Sequence, residues 1–255
     1  MSERTGGGEM SGKDKLRKFR ENETFPCLVQ PATEEVLGRD YHLKGRWGEE
    51  FFHNSNPIVM ELGCGKGEYT VGLALKNPQV NYIGMDIKGA RLWKGAKYVT
   101  EHSLPNAGFV RTRIEFIDSV FAQGEISEIW ITFADPQINK ERRRLTSPLF
   151  LERYRKIMPP GGIVHLKTDS EYLYSYTKAL VAHNGLPVVA DIGDLYSHGE
   201  PDGELSIKTF YESHYLRLGV PINYLAFRLE GGVPLCSPPD WDGSDAAARH
   251  VRIKF

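Results

Sequence analysis

The stretch Ile58-Val-Met-Glu-Leu-Gly-Cys-Gly-Lys-Gly67 constrains this 255-residue chain more than any other. An apolar run ends in an acid, and a glycine-rich turn then opens a segment of helical character. A second apolar run, Asn81-Tyr-Ile-Gly-Met-Asp86, closes on another carboxylate nineteen residues beyond Gly67. Two parallel strands joined through a glycine loop, with an acid ending the second, form the adenosine-binding half of a doubly wound α/β fold. Glycines there let the backbone approach a ligand where a Cβ would collide. Asp86 is placed to accept hydrogen bonds from both hydroxyls of a ribose.

The glycine spacing narrows the ligand. A dinucleotide fingerprint has glycines at the first, third and sixth positions. Here Gly63, Gly65 and Gly67 take the first, third and fifth, and Glu68 stands sixth. Glu61, just before the loop, would repel a pyrophosphate at so short a distance. A cationic amino-acid moiety suits the site better, which favours S-adenosylmethionine over NAD. The bland alternative is a tight turn in a domain that binds no nucleotide. Glu61 before the loop and Asp86 after it weigh against that alternative.

A net charge of −1 excludes a wholesale basic surface, so a polyanionic partner has to meet local patches. Cys27, Cys64 and Cys236 lie far apart without metal-ligand spacing, which points to a reducing compartment and no metal site. No apolar run reaches the roughly 20 residues of a membrane span. A cytoplasmic protein without a membrane partner is the default expectation.

Residues 1–57 read as an N-terminal extension, with a Gly-rich disordered start (1–12) and a basic arm (13–20). The arm is either a solvated face or a contact to a nucleic-acid backbone. Tyr41 to Phe52, carrying Trp47, Phe51 and Phe52, is expected to pack onto the domain ahead of the first strand. From 58 to 230, apolar runs alternate with amphipathic segments, as a mostly parallel sheet with helices on both faces requires. Strands are expected near 58–62, 81–86, 108–112, 128–133, 162–167 and 187–192, with a last strand near 222–229. Helices are expected near 67–76, 89–102, 147–157, 170–184 and 209–217. Residues 231–255 read as a Pro-rich tail ending in a basic run, Arg249 to Phe255.

In an open α/β sheet, ligands lie beyond the carboxyl ends of the strands. Ile129-Trp-Ile-Thr-Phe-Ala-Asp-Pro136 puts Asp135 at such an end, on the strand expected beside the first. An acid followed by Pro is also a routine turn starter. Lys140-Glu-Arg-Arg-Arg144 follows, then Arg153, Arg155 and Lys156. A basic cluster at the mouth of a cofactor site suits a polyanionic substrate better than it suits an idle helix face. Lys167-Thr-Asp169 and Thr209-Phe-Tyr-Glu212 add carboxylates to the same rim. Each alone is a common cap or surface pair; together they suit a base with a donor-rich edge.

Taken together, these motifs closely resemble the bacterial tRNA (guanine-N7)-methyltransferases. The matching elements are Glu61 to Gly67, Tyr82 to Asp86, Phe133-Ala-Asp-Pro136, Arg142-Arg-Arg-Leu145, Lys167-Thr-Asp169, Thr209 to Glu212 and Leu225-Ala-Phe-Arg228. The resemblance spans residues 58–230 in order. It implies a Rossmann-like S-adenosylmethionine-dependent methyltransferase fold with an antiparallel last strand, acting on tRNA. By resemblance, Glu61, Asp86, Glu115 and Asp135 hold the cofactor with the loop glycines, and Asp135 sits where cofactor and base meet. Lys140, Asp169, Thr209, Tyr211 and Glu212 would contact the RNA substrate, and the variable-loop guanosine would be the target. The chain departs from the family after Asp-Pro. Gln137 stands where Trp is usual, and the shorter basic loop lets either Asn139 or Lys140 match the family's lysine.

Guanine N7 carries a free lone pair, so methylating it needs no general base. Asp135 beside the ring would stabilise the charge arriving on the purine. Asp169 and Glu212 could accept from guanine N1–H and N2–H, donors that adenine lacks. Arg142, Arg143 and Arg144, with residues 153–156, would bind phosphates, supplying affinity without sequence choice. Competing readings are a methyltransferase of the same fold acting on another RNA, a small molecule or a protein, a non-catalytic RNA-binding protein, and an NAD oxidoreductase. Either a monomer or a homodimer fits the sequence.

Overall fold

Strands of a parallel sheet are covered on both faces, so each reads as an unbroken apolar run. The computed structural model describes residues 12–239 and 241–244. The expectations for a disordered start at residues 1–11 and for the basic end, Arg249 to Phe255, fall outside them, while Gly12, expected in that start, opens the first helix. In chain order the elements are α1 (Gly12–Asn22), β1 (Leu28–Val29), α2 (Thr33–Val36), a π-helical segment (Trp47–Phe52), β2 (Ile58–Leu62), α3 (Glu68–Lys76), β3 (Asn81–Asp86) and α4 (Gly89–Glu101). There follow β4 (Ala107–Arg111), α5 (Ile117–Val120), β5 (Ile126–Thr132), α6 (Pro148–Arg155), β6 (Gly162–Thr168), α7 (Glu171–His183), β7 (Val188–Ile192), α8 (Phe210–Arg217) and β8 (Asn223–Leu229).

The strands form one sheet in the order β1-β4-β3-β2-β5-β6-β8-β7. Every pair from β1 through β6 is parallel, and β8 runs antiparallel between β6 and β7. This is the expected Rossmann-like layout with an antiparallel last strand. All five residues of β2 are buried. Alternate side chains feed two cores. Met60, Ile83, Ile129 and Val164 pack with Leu151 of α6 and Leu173 of α7. On the other face, Val59, Tyr82, Phe109 and Trp130 pack with Leu73 of α3 and Leu92 of α4. The strand order reverses where β2 meets β5, and a crevice opens beyond their carboxyl ends.

Most boundaries lie within two residues of expectation, the usual fraying of element ends. The informative difference is at β5, which stops at Thr132. Phe133 has φ of 51°, left-handed backbone that no strand residue holds, so the chain leaves the sheet one residue sooner. The basic run 13–20 is the body of α1, which packs on α4. There the buried Asn22 donates from Nδ2 to the Gly89 carbonyl at 2.9 Å. β1 pairs with β4, an edge strand that the sequence does not announce. Trp47 is fully buried and donates from Nε1 to the Val120 carbonyl at 2.9 Å, in keeping with the aromatic content of 41–52. Among the described residues no helix is long and apolar enough to cross a membrane.

Candidate active site

The loop between β2 and α3 is fixed from three directions. Gly63, Gly65 and Gly67 all have positive φ, between 56° and 71°. Gly67 is also a packing requirement, since a Cβ there would lie 2.5 Å from the Phe109 ring. A Cβ at Gly63 would meet nothing closer than 3.9 Å, so its backbone faces open space. Asp86 binds the loop from the side: its Oδ2 accepts from the Gly65 amide at 3.0 Å and its Oδ1 from the Lys88 amide at 2.8 Å.

Glu61 works from beneath. Its Oε2 accepts from the Thr70 amide (2.9 Å) and hydroxyl (2.5 Å), and its Oε1 from the Thr132 hydroxyl (2.5 Å). Burial pushes its carboxyl up to about 7 despite these donors. Glu61 thus ties β2, α3 and β5 together and does not line the cleft above them. Glu68, in the sixth position of the loop, accepts from the Phe210 amide at 2.8 Å and from Lys94 Nζ at 2.9 Å. It joins the glycine loop to the start of α8.

Above the loop lies a cleft of about 590 Å³. Gly63, Asp86, Ile87, Thr112 and Glu115 line one side, and Gln137, Arg142, Arg143 and Leu145 the other. An open glycine backbone, a carboxylate at the end of β3 and apolar walls at Ile87, Ile114 and Leu145 fit an adenosyl group. Glu115 stands at the far end, 3.5 Å from Arg113 Nη2.

The opposite rim is built differently. Asp135 is exposed on the loop after β5, and its Oδ1 accepts from the Gln137 amide at 2.9 Å. Phe133 and Gln137 flank it, both non-glycine residues in left-handed backbone (φ 51° and 47°). Such conformations persist only where surrounding contacts enforce them, and they concentrate at functional sites. Asp169 follows the end of β6. Burial raises its carboxyl to about 6, partly offset by a hydrogen bond from Tyr215. Tyr215 in turn stacks on Phe133, with ring centroids 6.4 Å apart.

Several expected substrate contacts are placed elsewhere. Glu212 is fully buried, and its Oε1 pairs with Lys167 Nζ at 2.7 Å and accepts from the Tyr196 hydroxyl at 2.7 Å. Lys167, equally buried, also donates to the carbonyls of Leu205 (2.8 Å) and Ile207 (3.0 Å). The expectation that Glu212 faces a base is therefore corrected: this pair holds α8 to β6. Thr209 is the N-cap of α8, accepting from the Glu212 amide at 3.1 Å. Tyr211 is half-buried on the first turn of that helix.

Arg144 is likewise corrected. It is 3% exposed and donates to the carbonyls of Pro136 and Ile138 and to the Tyr172 hydroxyl. It cannot meet a phosphate. Arg153 and Lys156 pair with Asp118 at 3.1 and 2.9 Å, and Arg155 pairs with Glu152 at 2.8 Å. The basic cluster facing solvent at the rim reduces to Lys140, Arg142 and Arg143, with Asn139 exposed beside them.

Sequence reasoning missed Tyr215, Tyr196 and Trp241. Tyr215 had a usable signal: it lies four residues after Tyr211 on α8 and so shares its face. Tyr196 and Trp241 sit in irregular segments and had none.

A family model described as "Putative methyltransferase" matches residues 55–225. The tRNA (guanine-N(7)-)-methyltransferase of Christiangramia forsetii is 51% identical over 224 residues, covering 87% of this chain and 100% of its own length. The enzyme of the same name from Porphyromonas gingivalis is 51% identical over 217 residues, 84% of this chain and 88% of its own. Among solved structures, the 16S rRNA methyltransferase KamB aligns with a TM-score of 0.54 at 14% identity, covering 69% of this chain and 89% of its own, a likeness of fold alone. With 51% of the aligned residues identical to such relatives over 88% to 100% of their length, the chain belongs to the tRNA (guanine-N7-)-methyltransferase family.

Proposed function

We propose that the protein transfers a methyl group from S-adenosylmethionine to N7 of a guanosine in tRNA, and that this guanosine lies in the variable loop. The observation that carries the reading is the meeting of two rims in one crevice. The adenosyl-shaped cleft of Asp86 and Glu115 shares Gln137 and the Arg142–Arg143 pair with the loop that presents Asp135. When bound, the cofactor supplies a methyl group on a cationic sulfur. Asp86 would accept from its ribose hydroxyls and Glu115 would lie on the adenine side of the cleft. The open backbone at Gly63 would leave room for the cofactor's methionine portion.

N7 is already a free lone pair, so no residue needs to remove a proton. Holding N7 in line with the methyl–sulfur bond can supply up to roughly 7–11 kcal/mol. Asp135 stabilises the positive charge that develops on the purine. Asp169, held by Tyr215, accepts from guanine N1–H and N2–H and rejects adenine, which has no donor at either position. Lys140, Arg142 and Arg143 bind phosphates beside the target base, which must leave its stack to enter.

The test is transfer from labelled S-adenosylmethionine to unmodified bulk tRNA, followed by nucleoside analysis and fragment mapping. Label in 7-methylguanosine within the variable-loop fragment is the expected result. Label in another nucleoside overturns the assignment of the atom, and label in another fragment overturns that of the loop.

A further inference from the structure

Arg144 is a buried cation with no ion pair among the described residues, although Glu141 is near enough to attract it. Its guanidinium Nε donates to the Pro136 carbonyl at 3.2 Å and its Nη2 to the Ile138 carbonyl at 2.9 Å. Those two carbonyls bracket Gln137, the residue in left-handed backbone whose amide holds Asp135. A second strut doubles the inner bond, because the Tyr172 hydroxyl accepts from Arg144 Nη2 at 2.5 Å and donates to Ile138 at 2.9 Å.

The guanidinium is held by aromatic faces. It lies 4.8 Å from the Tyr172 ring centroid, 4.3 Å from Tyr176 and 5.5 Å from Trp241. Trp241 meets both tyrosines edge-on, at 4.9 and 5.1 Å. A delocalised planar cation suits this cage, where an ammonium would forfeit both the fork and the stacking. Trp241 belongs to the tail beyond the methyltransferase motifs. The tail is anchored separately where Asn184 and Cys236 exchange backbone–side-chain hydrogen bonds at 2.8 and 2.9 Å.

We infer that Arg144 is a positioning residue: roofed by Trp241 of the C-terminal tail, it clasps residues 136–138 so that Asp135 is held against the substrate. This rests on the placement of Asp135 at the substrate rim proposed above. The clasp enforces a backbone that Gln137 would not adopt on its own. It gives the tail a part in catalysis without any contact to either ligand.

The full-length chain is compared with Arg144→Lys and Trp241→Ala, with Trp241→Phe as the rescue variant. Hydrogen exchange of backbone amides 137–143 reads the loop without any substrate, and kcat, the KM for tRNA and the Kd for S-adenosylmethionine are measured alongside. Arg144→Lys should raise exchange in that segment by about tenfold and lower kcat about tenfold to a hundredfold, leaving cofactor affinity unchanged. Trp241→Ala should act in the same direction more weakly, and Trp241→Phe should restore both readouts. Faster exchange with unchanged kcat overturns the inference, as does a fall in kcat that tracks a fall in cofactor affinity. If Arg144→Lys does not fold, Trp241→Ala decides alone, and wild-type exchange and kcat in it overturn the clasp. A wild type that makes no 7-methylguanosine overturns the functional reading instead, and the exchange result still decides the clasp.

Discussion

The two rims of the crevice are made of different materials. The cofactor rim is backbone pinned by buried or half-buried carboxylates: Glu61 has its acceptors filled by Thr70 and Thr132, and Asp86 holds Gly65 and Lys88. The proposed substrate rim is a loop that carries exposed side chains and two non-glycine residues in left-handed backbone, with Arg144 hydrogen-bonded to it from behind. A small ligand of fixed shape can be met by a fixed scaffold. A folded polyanion has to be met by cations that face water. The comparison orders the carboxylates by burial, with Asp86 and Asp169 half-buried between two extremes. Glu61 and Glu212 are sealed in, and Asp135 is exposed.

The contrast breaks most sharply at Asp135. Asp135→Ala should lower kcat by about 10²–10³ while calorimetric binding of S-adenosylmethionine stays unchanged. A matching loss of cofactor affinity would merge the two rims into one. Asp86→Ala should do the reverse, raising the cofactor Kd about tenfold to a hundredfold, at ~1.4 kcal/mol per tenfold, with kcat largely recovered at saturation.

Asp169 sharpens the comparison by pH. Its folded carboxyl sits near 6, above its ordinary value, because burial disfavours the charge. The ionised form that accepts from guanine is therefore present above pH 6 and lost as pH falls through it. A pH profile of kcat/KM should show that limb, and Asp169→Asn should lose the limb along with discrimination of G from A. The smallest effect is expected from Arg142→Ala combined with Arg143→Ala. The KM for tRNA should rise and the slope of log K against log salt should shrink by about 1–2, with kcat near wild type.

The cofactor rim was legible in the sequence because its constraint is local. Gly63, Gly65 and Gly67 take positive φ and Asp86 ends the next strand, so residue type and spacing report both. The substrate rim was legible only in part. Arg142, Arg143 and Arg144 are identical letters, and only the turn after Pro136 decides which one is buried. Thr209 and Glu212 carry an N-cap spacing that looks the same whether the acid faces a ligand or a buried lysine. Lys167 had no sequence mark of burial beyond its place in an apolar strand. The helix α1 was hidden by its charge, since its anchors, Phe19 and Asn22, are few.

The position of β8 has a consequence for synthesis. The last strand of the sheet lies between β6 and β7, so β6 keeps an unpaired edge until residues 223–229 have left the ribosome. The cofactor half, β1 to β5, can close on local pairings well before that. Lys167 likewise waits on β6 for Glu212, whose helix directly precedes β8. At roughly 5–20 residues per second, a nascent chain spends seconds with β1 to β5 assembled and the β6 edge open. Over that interval the exposed β6 edge is the surface on which two unfinished chains could pair with each other.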